Sequence, residues 1–362
     1  EENPGLILQA AVRSRDMSRA EATFAAISRE GPDEAFNDLL YAVQDNTEVH
    51  RTVLPYRAWD LLGLIGPEQA HTLLRQSVRY CVKSERDWQH TEATDRPRVL
   101  LPRLLDEHKL HARSAGNRSV DDAWVDSLAS TLFTSTPDQA AEAVAAALGE
   151  GIDPSALGEA LSLAANQLVL RDAGRREGEV RPGKPVGSVH GDSIGVHACD
   201  SANAWRNMAA VSNPRNQFAC LILGAYQVGL DRVNRGGNFF HWTPRPRPED
   251  LESVRSVPAD ALRSELDSAI RSNEQARACA LTHRLGESGA DPRQVFRLLL
   301  GYAISEDGAL HAEKYYRTVS EEFASTRPAF RWRQLVALAR VTASEFGQPA
   351  PGHAQAMELL GL

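Results

Sequence analysis

Three glycine-x-aspartate triplets, each following an alanine-rich stretch, constrain this chain more than any other feature. They are Gly31-Pro32-Asp33, Gly151-Ile152-Asp153 and Gly289-Ala290-Asp291. The stretches before them share a texture: Ala20, Ala22, Ala25 and Ala26; then Ala140, Ala143, Ala145 and Ala146; then Ala276, Ala278 and Ala280. Alanine loses no side-chain entropy in a helix, and glycine ends one in the left-handed conformation its missing Cβ permits. Aspartate then accepts a backbone N–H at the start of the next helix. Pro154 and Pro292 follow at the first helical position, where no N–H is missed.

After each mark comes an apolar face of helical period: Phe36, Leu39, Leu40 and Val43; Leu157, Leu161, Leu163 and Leu168; Val295, Leu298, Leu299 and Ile304. Each then runs toward a histidine preceded by an apolar residue, as Val49-His50, Val196-His197 and Leu310-His311. Ala58-Trp59 and Ala204-Trp205 follow the first two histidines, and Tyr80 and Tyr226 each lie 21 residues beyond their tryptophan. The sequence therefore predicts an all-α chain of three divergent helical repeat units, packed into one array or a toroid-like bundle. The units span 1–130, 131–258 and 259–362. No segment alternates apolar and polar residues between hairpin turns, so strands are not expected.

Two stretches depart from the repeat. Residues 171–195 form an insertion rich in Gly, Arg and Pro, ending His190-Gly191-Asp192-Ser193. Loops of that length are functional or disordered. Residues 234–258 form an irregular connector, whose aromatic front Phe239-Phe240-His241-Trp242 is expected to dock on the body and whose Pro-Arg-Pro-Arg-Pro half is expected to be extended.

The formal charge of −8, with basic residues interleaved among acids, argues against a nucleic-acid face. No run of 18 apolar residues could span a membrane. The four cysteines, Cys81, Cys199, Cys220 and Cys279, form no CxxC, so free, partly buried thiols are expected. The chain opens Glu1-Glu2-Asn3-Pro4, from which a missing tag, signal peptide or larger N-terminal part is expected. The compartment, cytoplasmic or exported, is not legible.

The repeated histidines are the centre of the chemistry. If the units share an axis, His50, His197 and His311 converge as ligands for a transition metal, iron foremost, or as general bases. A histidine at a helix end also simply hydrogen-bonds a carbonyl, and a duplicated structural residue recurs as readily as a functional one. Around His197 the helix carries Asp200, Asn203 and Asn207 on one side, a stripe that is either a polar site or solvated surface. His311, Lys314 and Tyr315 share another face. A lysine beside histidine and tyrosine acts as acid, base or anion clamp, or snorkels to water. His190, Asp192 and His241 are candidates for the rim or lid of the same pocket. His108 and His111 sit on a charged, surface-like helix. HExxH, GxGxxG, the Walker loop and GxSxG are absent.

In the segments from Val49-His50 to Tyr80, from Val196-His197-Ala198-Cys199-Asp200-Ser201-Ala202-Asn203-Ala204 to Tyr226, and Leu310-His311-Ala312-Glu313-Lys314, the chain resembles the questin oxidase-like family, an all-helical group with recurring histidine-bearing units. The resemblance implies Baeyer–Villiger-type oxygen insertion into polyketide ring ketones. The multi-histidine N-terminal cluster of that family is lacking here. The expected function is thus an oxidase- or oxygenase-type oxidoreductase acting on a small molecule, with His197, Asp200, Asn203, Lys314 and Tyr315 as catalytic candidates. The alternatives are a helical-repeat interaction scaffold, and an acid–base hydrolase or lyase using the same pocket.

Overall fold

A computed structural model describes residues 3–87, 91–111, 113–182, 184–191, 193–233, 238–254, 258–307 and 311–362. The chain is all-α: 74% is helical, and no strand occurs among the described residues. In chain order the helices are α1 (Pro4–Arg13), α2 (Met17–Ile27), α3 (Pro32–Val43), α4 (Val49–Ile65), α5 (Ala70–Asp87), α6 (Glu92–Asp95), α7 (Pro97–Glu107), α8 (Asp122–Thr134), α9 (Pro137–Gly149), α10 (Pro154–Arg171), α11 (Ile194–Val211) and α12 (Pro214–Val233). There follow α13 (Pro248–Glu252), α14 (Ala259–Arg271), α15 (Gln275–Glu287), α16 (Pro292–Ser305), α17 (Ala312–Ser325), α18 (Trp332–Glu345) and α19 (His353–Leu360). No helix among the described residues is long and apolar enough to cross a membrane.

The glycine-x-aspartate marks fold as expected in two cases. Gly151 and Gly289 take positive φ, 80° and 70°, and the Asp153 and Asp291 carboxylates accept from Ser155 and Arg293 N–H groups. The first mark differs. Its proline stands between the glycine and the aspartate, so α3 starts one residue earlier, and Asp33 lies inside the first turn rather than capping it. There its charge still complements the helix N-terminus.

The chain divides into two compact units, one of Glu1–Leu161 with Ser201–Leu230, the other of Ser162–Asp200 with Asp231–Leu362. These boundaries fall within α10, α11 and α12. The threefold division drawn from the repeat marks cuts the chain at other points.

In the first unit α1 packs on α2, α3 and α5, α3 on α5, and α4 on α5. Phe24, Phe36, Leu39 and Leu74 are wholly buried there. A polar network runs through this core. The buried Arg51 guanidinium donates to Glu85 Oε1 at 2.8 Å, to Ser84 Oγ and to the Ala42 carbonyl. Arg98 reaches both oxygens of the same carboxylate, at 2.8 and 2.9 Å. Burial alone would raise the Glu85 carboxyl, but hydrogen bonds from Arg98 and Arg51 hold it below the usual range. Trp205 is a second anchor of this unit. It is fully buried, and its indole N–H donates to Gln227 at 2.7 Å while Gln227 donates to Ser201. Gly224 makes room for the ring: a Cβ there would lie 3.1 Å from Trp205 Cβ and 2.5 Å from Leu161 Cδ2. Trp59, the repeat partner, is half-buried against Phe36.

In the second unit α18 is the central element, packed by α14, α15, α16 and α17. Every residue from Gln334 to Glu345 is buried, polar ones included. Most of those polar groups find partners, as burial favours. Gln334 donates to Ser162 at 2.9 Å, Arg340 to the carbonyls of Val169 and Asp172, and Ser344 and Glu345 accept from the N–H groups of Val189 and Gly191. The insertion is thereby pinned. Its two arms also meet each other through Arg175 and Gly187, whose backbones exchange hydrogen bonds with Ser188 and Arg175. The aromatic front of the connector docks as expected, with Phe239 buried and Trp242 edge-on to it at 5.1 Å. The proline-rich half is not simply extended. Pro248 starts the short helix α13, and Asp250 accepts the Arg247 N–H to cap it.

All four cysteines are free and buried. Burial pushes the Cys81 and Cys279 thiols up to about 11 and that of Cys220 up to about 12, and it raises Cys199 in the same direction.

Candidate active site

In the second unit, the first turns of α11 and the start of α17 face each other through polar side chains. Helical spacing places His197 and Asp200 on one side of α11, and His311, Lys314, Tyr315 and Thr318 on one side of α17. The imidazoles of His197 and His311 meet with their Nε2 atoms 3.1 Å apart and their planes at 85°. At that distance one ring donates an N–H to the lone pair of the other. Both rings are half-buried, so they remain open to a ligand.

One turn further along, Lys314 Nζ lies 2.9 Å from Asp200 Oδ2, and Thr318 donates to Asp200 Oδ1 at 2.7 Å. Asp200 is almost wholly buried, whereas a quarter of Lys314 (24%) is exposed. The carboxylate therefore fixes the lysine stem and leaves the ammonium at the edge. Behind this pair the Tyr315 hydroxyl points at Cys199 Sγ, 4.0 Å away. Burial first, then the neighbouring Cys199, raises the Tyr315 phenol well above its ordinary value, so it stays protonated. Tyr315 is wholly buried and its hydroxyl is directed inward to sulfur.

Asp231, near the end of α12, is a buried acid that sequence reasoning missed. Burial pushes its carboxyl well above the usual range. The only signal was an acid inside an apolar helix. An unfolded aspartate ionises near ~3.9, while the buried one keeps its proton to higher pH. The unfolded chain then binds fewer protons, so stability falls as pH rises above that value. Asp231→Asn is expected to raise the urea midpoint at pH 7 relative to the native chain, and to do so less at pH 4. An equal shift at both pH values would show that Asp231 is not held protonated.

His50 belongs to the first unit, where its Nδ1 sits 2.6 Å from Glu48 Oε1 and its ring leans on Tyr80. Glu48 caps α4 and accepts from the Tyr80 hydroxyl at 2.8 Å. Burial would lift this carboxyl, yet the hydrogen bonds from His50, Tyr80 and Arg51 hold it low. Asn203 also belongs to the first unit, fully buried, with Arg57 donating to its side chain at 3.3 Å. His190 is buried rather than poised as a lid, because its neighbours Val189 and Gly191 are tied to α18. His241 is exposed beside the docked Phe239. Asp192 lies outside the described residues. His108 and His111 pair with Glu142 and Asp106.

The expected metal centre gains no support from this geometry. Among the described residues no group of three or more His, Cys, Asp or Glu is arranged to hold a metal ion. Within the second unit the imidazoles of His197 and His311 meet, and within the first His50 is engaged with Glu48. Comparisons with protein-family models, curated proteins and solved structures gave no match to this chain.

Proposed function

We propose that the protein is an enzyme that moves a proton on and off a small organic substrate at the His197–His311 pair. The observation that carries this reading is the 3.1 Å approach of the two Nε2 atoms. A bonded imidazole pair accepts a proton at one ring and passes one through the other, so it supplies both base and acid from a single site. Lys314, steadied by Asp200 and Thr318, is placed to hold an anionic group of the substrate or the charge that develops on it. Acid–base chemistry of the hydrolase or lyase type needs no more than these groups.

The oxidative reaction implied by the family resemblance is a second reading, supported by the same pair. Direct reaction of a substrate carbanion with molecular oxygen begins with the same proton abstraction. An iron-dependent version would need protein donors beyond two imidazoles.

The test is conversion of a mixed panel of small esters, hydroxy acids and cyclic ketones, followed by mass spectrometry with oxygen uptake recorded alongside. His197→Gln and His311→Gln are each expected to cut whatever conversion the native protein performs by roughly 10²–10⁴-fold. Conversion that survives in both variants, or none by the native protein, overturns the proposal, and the latter result favours a scaffold. Oxygen uptake matching conversion decides for the oxidative reading.

A further inference from the structure

A cleft of about 200 Å³ opens in the second unit, where the end of α10, the insertion, the segment after Phe239 and α18 come together. Four arginines line it: Arg171, Arg245, Arg247 and Arg340. It shares no residue with the histidine pair. Arginine keeps its charge under essentially all conditions in proteins, so the wall carries four cations. The only carboxylate in the lining is Asp172, one of whose oxygens accepts the Gly174 N–H at 2.8 Å.

The most buried of these cations, Arg340, has only neutral hydrogen-bond partners. Arg340 is 3% exposed, and its two terminal nitrogens donate to neutral carbonyls, of Val169 and Asp172. Its buried Nε has no hydrogen-bond partner. Arg171 donates to Gln167 Oε1 and to the Trp242 carbonyl at 3.1 Å each. Arg245 has Asp250 at 2.8 Å, while Arg247 has Glu249 only at 3.8 Å. Burial pushes Arg340 and Arg171 downward; Asp172 acts on Arg340 in the opposite sense, while the nearby Arg245 and Arg247 add to the lowering. A cluster of this kind is stabilised by an anion, to which guanidinium groups donate short, paired, charge-assisted hydrogen bonds. One lining group is an acceptor instead. Gln275 donates to the Gly187 carbonyl at 3.1 Å and leaves its buried Oε1 without a donor. An oxyanion that also carries a hydroxyl answers both needs.

We propose that this cleft binds a phosphate group, free or carried on a small organic molecule, with the arginines on its oxygens and Gln275 accepting from its P–OH. Phosphate is preferred over carboxylate because inorganic phosphate offers several acceptor oxygens and a P–OH donor at neutral pH, and a monoester offers that donor as its monoanion, near its second pKa of about 6.

Calorimetric titration of the full chain tests this, with inorganic phosphate, phenyl phosphate and acetate as probes at equal ionic strength. Phosphate or phenyl phosphate is expected to bind and acetate to bind at least roughly tenfold more weakly, since each charge-assisted bond lost costs about that factor. Binding by phenyl phosphate alone assigns the site to an organic ester, and binding by both assigns it to the group itself. Arg247→Gln, at the exposed edge, and Arg171→Gln are each expected to weaken binding roughly tenfold. Gln275→Leu is expected to weaken it without changing net charge. These variants leave the buried Arg340 in place, and circular dichroism confirms that they fold. Failure of both phosphates to bind at millimolar concentration overturns the proposal, as does binding unchanged in the two arginine variants.

Discussion

Glu85→Ala is expected to destabilise the first unit by about 3–5 kcal/mol, the largest loss of any single polar substitution considered, because it takes from a buried cation its hydrogen-bonded counter-charge and leaves only the more distant field of Asp45. Arg51 is 2% exposed and cannot swing to water, so its guanidinium would keep only Ser84 and the Ala42 carbonyl. Arg98 would lose both of its bonds to the same carboxylate. The measurement is urea unfolding with an unchanged slope and a lower midpoint. A companion variant sharpens the result. Arg51→Met with Glu85→Leu removes both charges and is expected to recover most of the loss, since apolar replacement of a buried pair is often near neutral. A cost below about 1 kcal/mol for Glu85→Ala, typical of an exposed pair, would mean that the two groups are not buried against each other.

Trp205→Ala is expected to cost a similar ~3–5 kcal/mol, here through a cavity. The ring is fully buried, and the glycine at 224 that accommodates it cannot fill the space left behind. The indole N–H lost with it leaves the buried Gln227 oxygen without that donor. Trp205→Phe separates the two contributions. It keeps most of the volume and is expected to lose about 1–3 kcal/mol for the unpaired oxygen. If alanine and phenylalanine cost the same, the volume of the ring contributes little and the packing around Gly224 is looser than described. Trp59→Ala, at the half-buried repeat position, is expected to cost less than either.

What was legible in the sequence follows from how local each signal is. Helix starts were readable because they depend on one glycine, one aspartate and one proline within a few residues. Even so, the Gly-Pro-Asp order at 31–33 moved the start of α3. Repetition singled out His197 and His311 as candidates, but it said neither that they meet nor who else is present. His50 found Glu48 two residues before it, and Asn203 found Arg57. Neither acquaintance has a spacing that marks it as special. Arg340 was passed over for a different reason. The polar residues of Trp332–Glu345 gather on one broad face of the helix, a pattern normal for an element with one side in water. Only the three-dimensional structure shows that this face is buried as well, and that the arginine comes to line a cleft beside three others.

The distribution of sulfur gives the molecule its own gauges. Cys81 and Cys220 lie in the first unit, Cys199 and Cys279 in the second, and none is accessible while its unit stays closed. An alkylating reagent can therefore capture a thiol only when the surrounding helices part, at a rate set by the opening equilibrium of that unit. Mass spectrometry of the tagged peptides would then time the breathing of each half separately, with no engineered probe.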